Sequence, residues 1–106
     1  MDIQTIKPEV KKYLKNVSKH IRITDALLYG SFAEGRAQDA SDVDIIVLSD
    51  DFINVDPDER SRILYRASVG FPYDLHVYGY TPEELKNASP LTALGQLKKN
   101  KTISIS

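Results

Sequence analysis

Three aspartates stand at the mouths of apolar segments. Asp42 and Asp44, one residue apart, lead into Ile45-Ile46-Val47-Leu48, and Asp74 sits in Tyr73-Asp74-Leu75-His76-Val77-Tyr78. Carboxylates in strand-like surroundings are costly to bury unless they are paired or bound to a metal. Residues i and i+2 of a strand lie roughly 6.6 Å apart with their side chains on one face. Asp42 and Asp44 can therefore converge on one metal centre. Magnesium favours oxygen ligands shared with phosphate, and two divalent ions about 3.5–4 Å apart can clamp an in-line phosphoryl displacement. Asp74, from a neighbouring strand, would complete such a site. It can serve as a further ligand or activate an attacking hydroxyl, and its position alone leaves both roles open.

Gly30-Ser31 lies upstream of the paired aspartates. A glycine lets the backbone come close to a phosphate. Ser31 can donate its hydroxyl or cap a following helical turn, whose N–H groups favour an anion. Gly35 allows the loop to turn sharply. Arg36 is the only basic residue between positions 25 and 59. It can bind phosphate or a partner, or simply pair with a surface carboxylate.

Other polar residues have plainer readings. Asp39, Asp50 and Asp51 read as solvated loop charge, and Asp25 as a strand start without a catalytic task. His76 shares a face with Asp74 and can bond to a carboxylate or touch a nucleotide, with a structural hydrogen bond as its plain alternative. His20 reads as a helix-end residue. Tyr29, Tyr73 and Tyr78 can stack on a base, although core packing is their default role.

The elements that must position these residues follow from periodicity and punctuation. Pro8 suits the first turn of a helix running to about Lys19, with Val10, Tyr13, Leu14, Val17 and Ile21 as its apolar stripe. Asp25–Tyr29 reads as a strand that ends at Gly30. Ser31 and Glu34 match a capping box for a short helical turn over Phe32–Gly35. Val43–Leu48 is a second strand, with Val43, Ile45 and Val47 facing away from Asp42 and Asp44. Asp56, Pro57 and Glu59 suit the start of a helix reaching about Val69, and Gly70 suits its stop. It buries Ile63, Leu64 and Ala67. Tyr73–Tyr78 is a third strand. Thr81, Pro82 and Glu84 open a short helix. Ser89 and Pro90 open another, with Leu91, Leu94 and Leu97 inward and Gly95 as a weak point. Ile103 and Ile105 alternate with serines and favour an edge strand at the end.

The chain has 106 residues and a formal net charge of −1. That length suggests one domain, residues 1–106, with a modest core. The charge is unevenly spread. Ten acidic residues crowd positions 25–59, while Lys7, Lys11, Lys12, Lys15, Lys19 and Arg22 mark the first 24. The lysines read as the solvent face of a helix, with a partner-binding patch as the alternative. The absence of cysteine excludes disulfides and thiolate metal sites. No run of apolar residues is long enough to span a membrane, and the N-terminus lacks a secretory pattern, so a cytoplasmic protein is expected.

The segment Leu28-Tyr29-Gly30-Ser31-Phe32-Ala33-Glu34-Gly35-Arg36-Ala37, followed by Ser41-Asp42-Val43-Asp44-Ile45, resembles the polymerase-beta-like nucleotidyltransferase superfamily. More closely, it is similar to the minimal nucleotidyltransferases that act as antitoxins beside HEPN-domain toxins. The resemblance implies an α/β (α+β) fold, a small mixed sheet with helices packed on it. It implies magnesium held by Asp42, Asp44 and Asp74, all three catalytic, and nucleotide phosphate bound at Gly30 and Ser31, with Arg36 beside them. The implied reaction is attack of an acceptor hydroxyl on the α-phosphate of a nucleoside triphosphate, with ATP the expected co-substrate. The implied acceptor is a tyrosine of the HEPN toxin, in a hetero-oligomer. A domain this small has no room for an extra substrate domain, so no direct nucleic-acid substrate is expected. Silencing by occlusion without catalysis and transfer to a small-molecule hydroxyl are the alternatives.

Overall fold

A computed structural model describes residues 2–38 and 41–105. The first helix, α1, spans Ile3–Val17. It starts five residues earlier than Pro8 suggests, because Asp2 accepts the Thr5 N–H at 3.2 Å and caps it. Pro8 lies inside the helix and is exposed, so the missing donor faces solvent rather than core. Ile6, Val10, Tyr13, Leu14 and Val17 are the buried stripe.

Strands β1 (Asp25–Tyr29) and β2 (Val43–Leu48) have the bounds expected from the sequence. A 3-10 turn at Asp50–Phe52 leads towards α2, Pro57–Arg66. Helix α2 ends before Val69, and its expected capping box does not form. Asp56 makes no side-chain cap, and Glu59 pairs with Arg62 instead. Leu64 and Ala67 are buried as expected, and Gly70 has a positive φ. The third strand, β3, spans Leu75–Tyr80, two residues later than the apolar run suggests. Helix α3 (Pro82–Lys86) has a complete capping box between Thr81 and Glu84.

Helix α4 is confined to Ala93–Leu97, capped by Thr92. Leu91 therefore lies outside it and is 95% exposed rather than inward. Gly95 is there for proximity: a Cβ at that position would fall 1.8 Å from the Ser89 carbonyl oxygen. The chain closes with β4, Ile103–Ser104, an edge strand paired to β1.

The sheet order is β3-β2-β1-β4. β1 runs antiparallel to β2 and β4, whereas β2 and β3 are parallel across the α2 crossover. One sheet face carries Ala26, Leu28, Val43, Ile45, Val47 and Val77 into a core shared with α1 and α2. Alternation sends Asp42, Asp44 and His76 to the other face. β3 is an edge strand, and the Tyr65 hydroxyl accepts its Val77 N–H at 3.2 Å. This satisfies an outward donor that would otherwise invite pairing.

The Thr81 cap also anchors an ion pair. Glu84 accepts Arg60 Nη1 at 2.7 Å and the Thr81 N–H at 2.7 Å. The Arg60 hydrogen bond, helped by Thr81, holds the Glu84 carboxyl below its ordinary value of 4.5 against the opposing effect of burial. A carboxyl depressed in the folded state stabilises at neutral pH, and that contribution is lost as pH falls through its folded pKa. Acid titration of thermal stability should therefore show a loss beginning below about pH 4.5 that is shallower in Glu84→Gln. Glu84 is half exposed, so the difference should stay under about 1 kcal/mol.

Candidate functional site

The parallel register of β2 and β3 builds the site. Val43 pairs with Leu75 and Asp44 with His76. The Val43 N–H donates to the Asp74 carbonyl at 2.8 Å, which sets Asp74 beside Asp42 just ahead of the two strands. On the other side, Asp44 pairs with Tyr29 of β1, next to Gly30. The sequence-expected residues Gly30, Asp42, Asp44 and Asp74 are thus gathered at one end of the sheet by backbone pairing alone. His76 joins them, with Nε2 3.5 Å from an Asp42 oxygen and Nδ1 3.4 Å from an Asp44 oxygen.

The two paired carboxylates differ in surroundings. The Asp42 side chain is 41% exposed and that of Asp44 is 19% exposed. Burial pushes the Asp44 carboxyl above its ordinary range, and the Asp42 charge adds to this; His76 opposes it. Tyr29 responds in kind: burial and then the Asp44 charge raise its hydroxyl, which stays protonated. A partly desolvated carboxylate beside a second one is a standing demand for positive charge.

Gly30 packs directly against the Asp44 carboxylate. Its φ is +71°, and a Cβ there would lie 2.3 Å from Asp44 Oδ2. Both conformation and clearance therefore require glycine. The Gly30 carbonyl accepts the Glu34 N–H at 3.0 Å, and the Ser31 carbonyl accepts the Arg36 N–H at 3.0 Å. These bonds curl residues 31–35 into a turn, not the expected short helix. The expected capping box is absent because the Glu34 side chain pairs with Arg36 at 2.8 Å. Arg36 thus takes the surface-pair role, and its side chain is exposed. Ser31 is half-buried in the turn. Gly30→Ala should abolish or cut nucleotide handling by at least about 100-fold, since Asp44 must move. It should also cost about 1–2 kcal/mol of stability from the positive φ; a nucleotide-binding titration and a thermal melt check the two parts.

The donor set suits a hard divalent cation, being carboxylate oxygens on one sheet face. Among the described residues, however, no group of three or more His, Cys, Asp or Glu side chains is arranged to hold a metal. Asp42 and Asp44 fit as a pair. Asp74 is close in the chain pairing but exposed, and His76 lies between the pair.

Other expectations resolve simply. Asp25 accepts the Ser104 hydroxyl at 2.6 Å and so pins β4. Asp51 accepts the Arg22 N–H at 2.8 Å rather than remaining only solvated charge. Tyr73 packs edge-on against Phe71, whereas Tyr78 is 49% exposed on the aspartate face. Asp39 lies outside the described residues. No described helix is long and apolar enough to cross a membrane. Arg60 was not legible as a key residue, because α2 carries three arginines and nothing local separates Arg60 from Arg62 and Arg66.

Comparison with known proteins follows this geometry. No curated relative matches the chain. Among solved structures, a candidate nucleotidyltransferase from Sulfolobus solfataricus superposes with a TM-score of 0.68 at 18% identity, over 94% of this chain and 78% of that one. A toxin–antitoxin structure with AMP-PNP gives a TM-score of 0.60 at 19% identity, over 94% and 72%. BolA1 from Arabidopsis thaliana gives 0.54 at 15% identity, over 72% and 94%. At these identities the likeness is one of fold. The family model of the nucleotidyltransferase domain matches residues 8–103, a span that holds every residue of the site, and the chain therefore belongs to the nucleotidyltransferase domain family.

Proposed function

We propose that the protein is a magnesium-dependent nucleotidyltransferase that modifies and silences a toxin partner, with AMP from ATP as the transferred group. The observation that carries this reading is the placement of Asp42 and Asp44 on one sheet face, with Gly30 packed against the Asp44 carboxylate. The family match and the toxin–antitoxin fold neighbour support it. The finer assignment, a tyrosine of a HEPN-domain toxin as acceptor, rests on the sequence resemblance.

In this reading Asp42 and Asp44 hold magnesium, and Asp74 is the third catalytic carboxylate. The metal supplies charge neutralisation at the phosphates. Gly30 and Ser31 give the triphosphate close backbone access and a hydroxyl donor, and Arg36 can swing from Glu34 to a phosphate oxygen. The acceptor hydroxyl oxygen bonds to the α-phosphorus, the bond to the bridging oxygen breaks, and pyrophosphate leaves with that electron pair. Asp74, exposed at the site's edge, takes the acceptor proton.

The test follows label from the nucleotide. Label on the α-phosphate of ATP should reach the partner, and label on the γ-phosphate should not. Transfer of γ-label would mean phosphorylation and would overturn the reading. One observation favours a second reading: His76 sits between the carboxylates, as it would in a module that silences its partner by occlusion alone. That reading requires an Asp42→Asn, Asp44→Asn variant to protect against the toxin as fully as the parent.

A further inference from the structure

His76 touches both members of the carboxylate pair. Register with β2 sets its backbone beside that of Asp44, and alternation turns its side chain to the aspartate face. Nε2 lies 3.5 Å from Asp42 Oδ2, and Nδ1 lies 3.4 Å from Asp44 Oδ1. Both separations exceed the roughly 2.7–3.2 Å of ordinary hydrogen bonds. The side chain is also 56% exposed. The ring is thus loosely held across the pair, on a strand whose backbone is fixed. The oxygen it meets on Asp44 matters. Asp44 Oδ2 backs onto Gly30, 2.3 Å from where a Cβ would stand. That leaves Oδ1 as the oxygen open to a cation, and His76 covers it.

We propose that His76 is a gate on the Asp42–Asp44 pair, a positioning residue whose ring must swing out to solvent before a divalent cation can bind both carboxylates. The inference rests on the nucleotidyltransferase reading above, which takes these aspartates as magnesium ligands. Magnesium holds its ligand oxygens at about 2.0–2.1 Å and keeps several waters. Those waters need the space that the imidazole fills. The ring cannot complete the metal site from where it lies. Its two nitrogens point away from each other and face different carboxylates, so no single cation meets both. Among the described residues, no group of three or more such side chains is arranged to hold a metal. The swing needs only side-chain rotation, because the exposed ring has solvent to move into. His76 thereby sets the magnesium concentration at which the pair loads.

Titration of the full chain with magnesium alone, without nucleotide, tests this. By NMR, nuclear Overhauser contacts from the His76 ring protons to the β-protons of Asp42 and Asp44 should be present without magnesium and lost at saturation. By calorimetry, His76→Ala should bind magnesium and manganese more tightly than the parent, each by roughly three- to fivefold, the worth of one partly exposed contact with a carboxylate. A histidine that ligates the metal predicts the reverse, a loss of affinity that is larger for manganese, because imidazole suits transition metals. Such a loss, or an unchanged affinity, would overturn the gate. Ring contacts that persist at saturating magnesium while the Asp42 and Asp44 amides move would also overturn it and leave the catalytic reading intact. If neither magnesium nor manganese moves those amides, both fall. The NMR arm uses the unmodified chain and decides the matter even where the variant fails to fold.

Discussion

Asp42→Asn, Asp44→Asn should slow nucleotidyl transfer by at least about 10³-fold while leaving the thermal midpoint unchanged or higher. The rate follows from charge. Removing one preorganised electrostatic group typically costs about 10²–10³ in rate, and groups that act as a unit do not multiply. The stability follows from the same residues. Burial and the neighbouring Asp42 charge both work against ionised Asp44. Neutral amides of nearly equal shape relieve that repulsion. What is lost is the contact of each carboxylate with His76, whose side chain is 56% exposed, and exposed pairs contribute about 0–1 kcal/mol. The relief offsets this loss. Steady-state transfer and differential scanning calorimetry on one preparation check both halves. A variant that loses activity by unfolding would contradict the account.

Arg60→Met should be the most destabilising single change, by about 3 kcal/mol, or about 15 °C in a domain of this size. The Arg60 side chain is 10% exposed. Its Nε donates to the Val55 carbonyl at 2.8 Å, Nη1 to the Gly79 carbonyl at 3.1 Å, and Nη2 to the Phe52 carbonyl at 2.8 Å. Two further bonds reach Glu84, and the guanidinium lies 5.5 Å from the Phe52 ring centroid. One planar group thus ties the 3-10 turn, the loop before α2, the end of β3 and α3. Methionine fills the space but strands three carbonyls, and stranded buried acceptors are the expensive outcome. Lysine should recover less than half of the loss, because one ammonium cannot reproduce the fork. Chemical denaturation of the three proteins measures this directly.

The parts of this molecule that were readable in advance are those governed by local rules. β1 and β2 had their bounds because short aliphatic runs were punctuated at Asp25, Gly30 and Leu48. The Thr81–Glu84 capping box formed because both members are local and one Glu84 oxygen accepts from Thr81 and from Arg60 together. Where a second partner drew the side chain away, local reading failed. Glu34 chose Arg36 over its cap, and Glu59 chose Arg62. Pro8 misled because Asp2 offered an earlier cap, and Leu91 misled because helical spacing persisted beyond the helix.

The site divides along the same line. The shared face of Asp42 and Asp44 is a consequence of strand alternation and was legible. The close approach of Asp44 to Gly30 and the insertion of His76 depend on pairing across strands. Those contacts join residues far apart in the chain, and no local pattern encodes their distances.

The central claim is that the Asp42–Asp44 face transfers a nucleotidyl group to a protein hydroxyl. The intact mass of the co-expressed toxin partner, recorded after incubation with ATP and magnesium, tests it most directly. The account predicts a rise by the mass of one or more adenylyl groups with the parent protein and none with Asp42→Asn, Asp44→Asn. An unchanged partner mass under conditions where the parent silences the toxin, or an equal rise with the double variant, would contradict it.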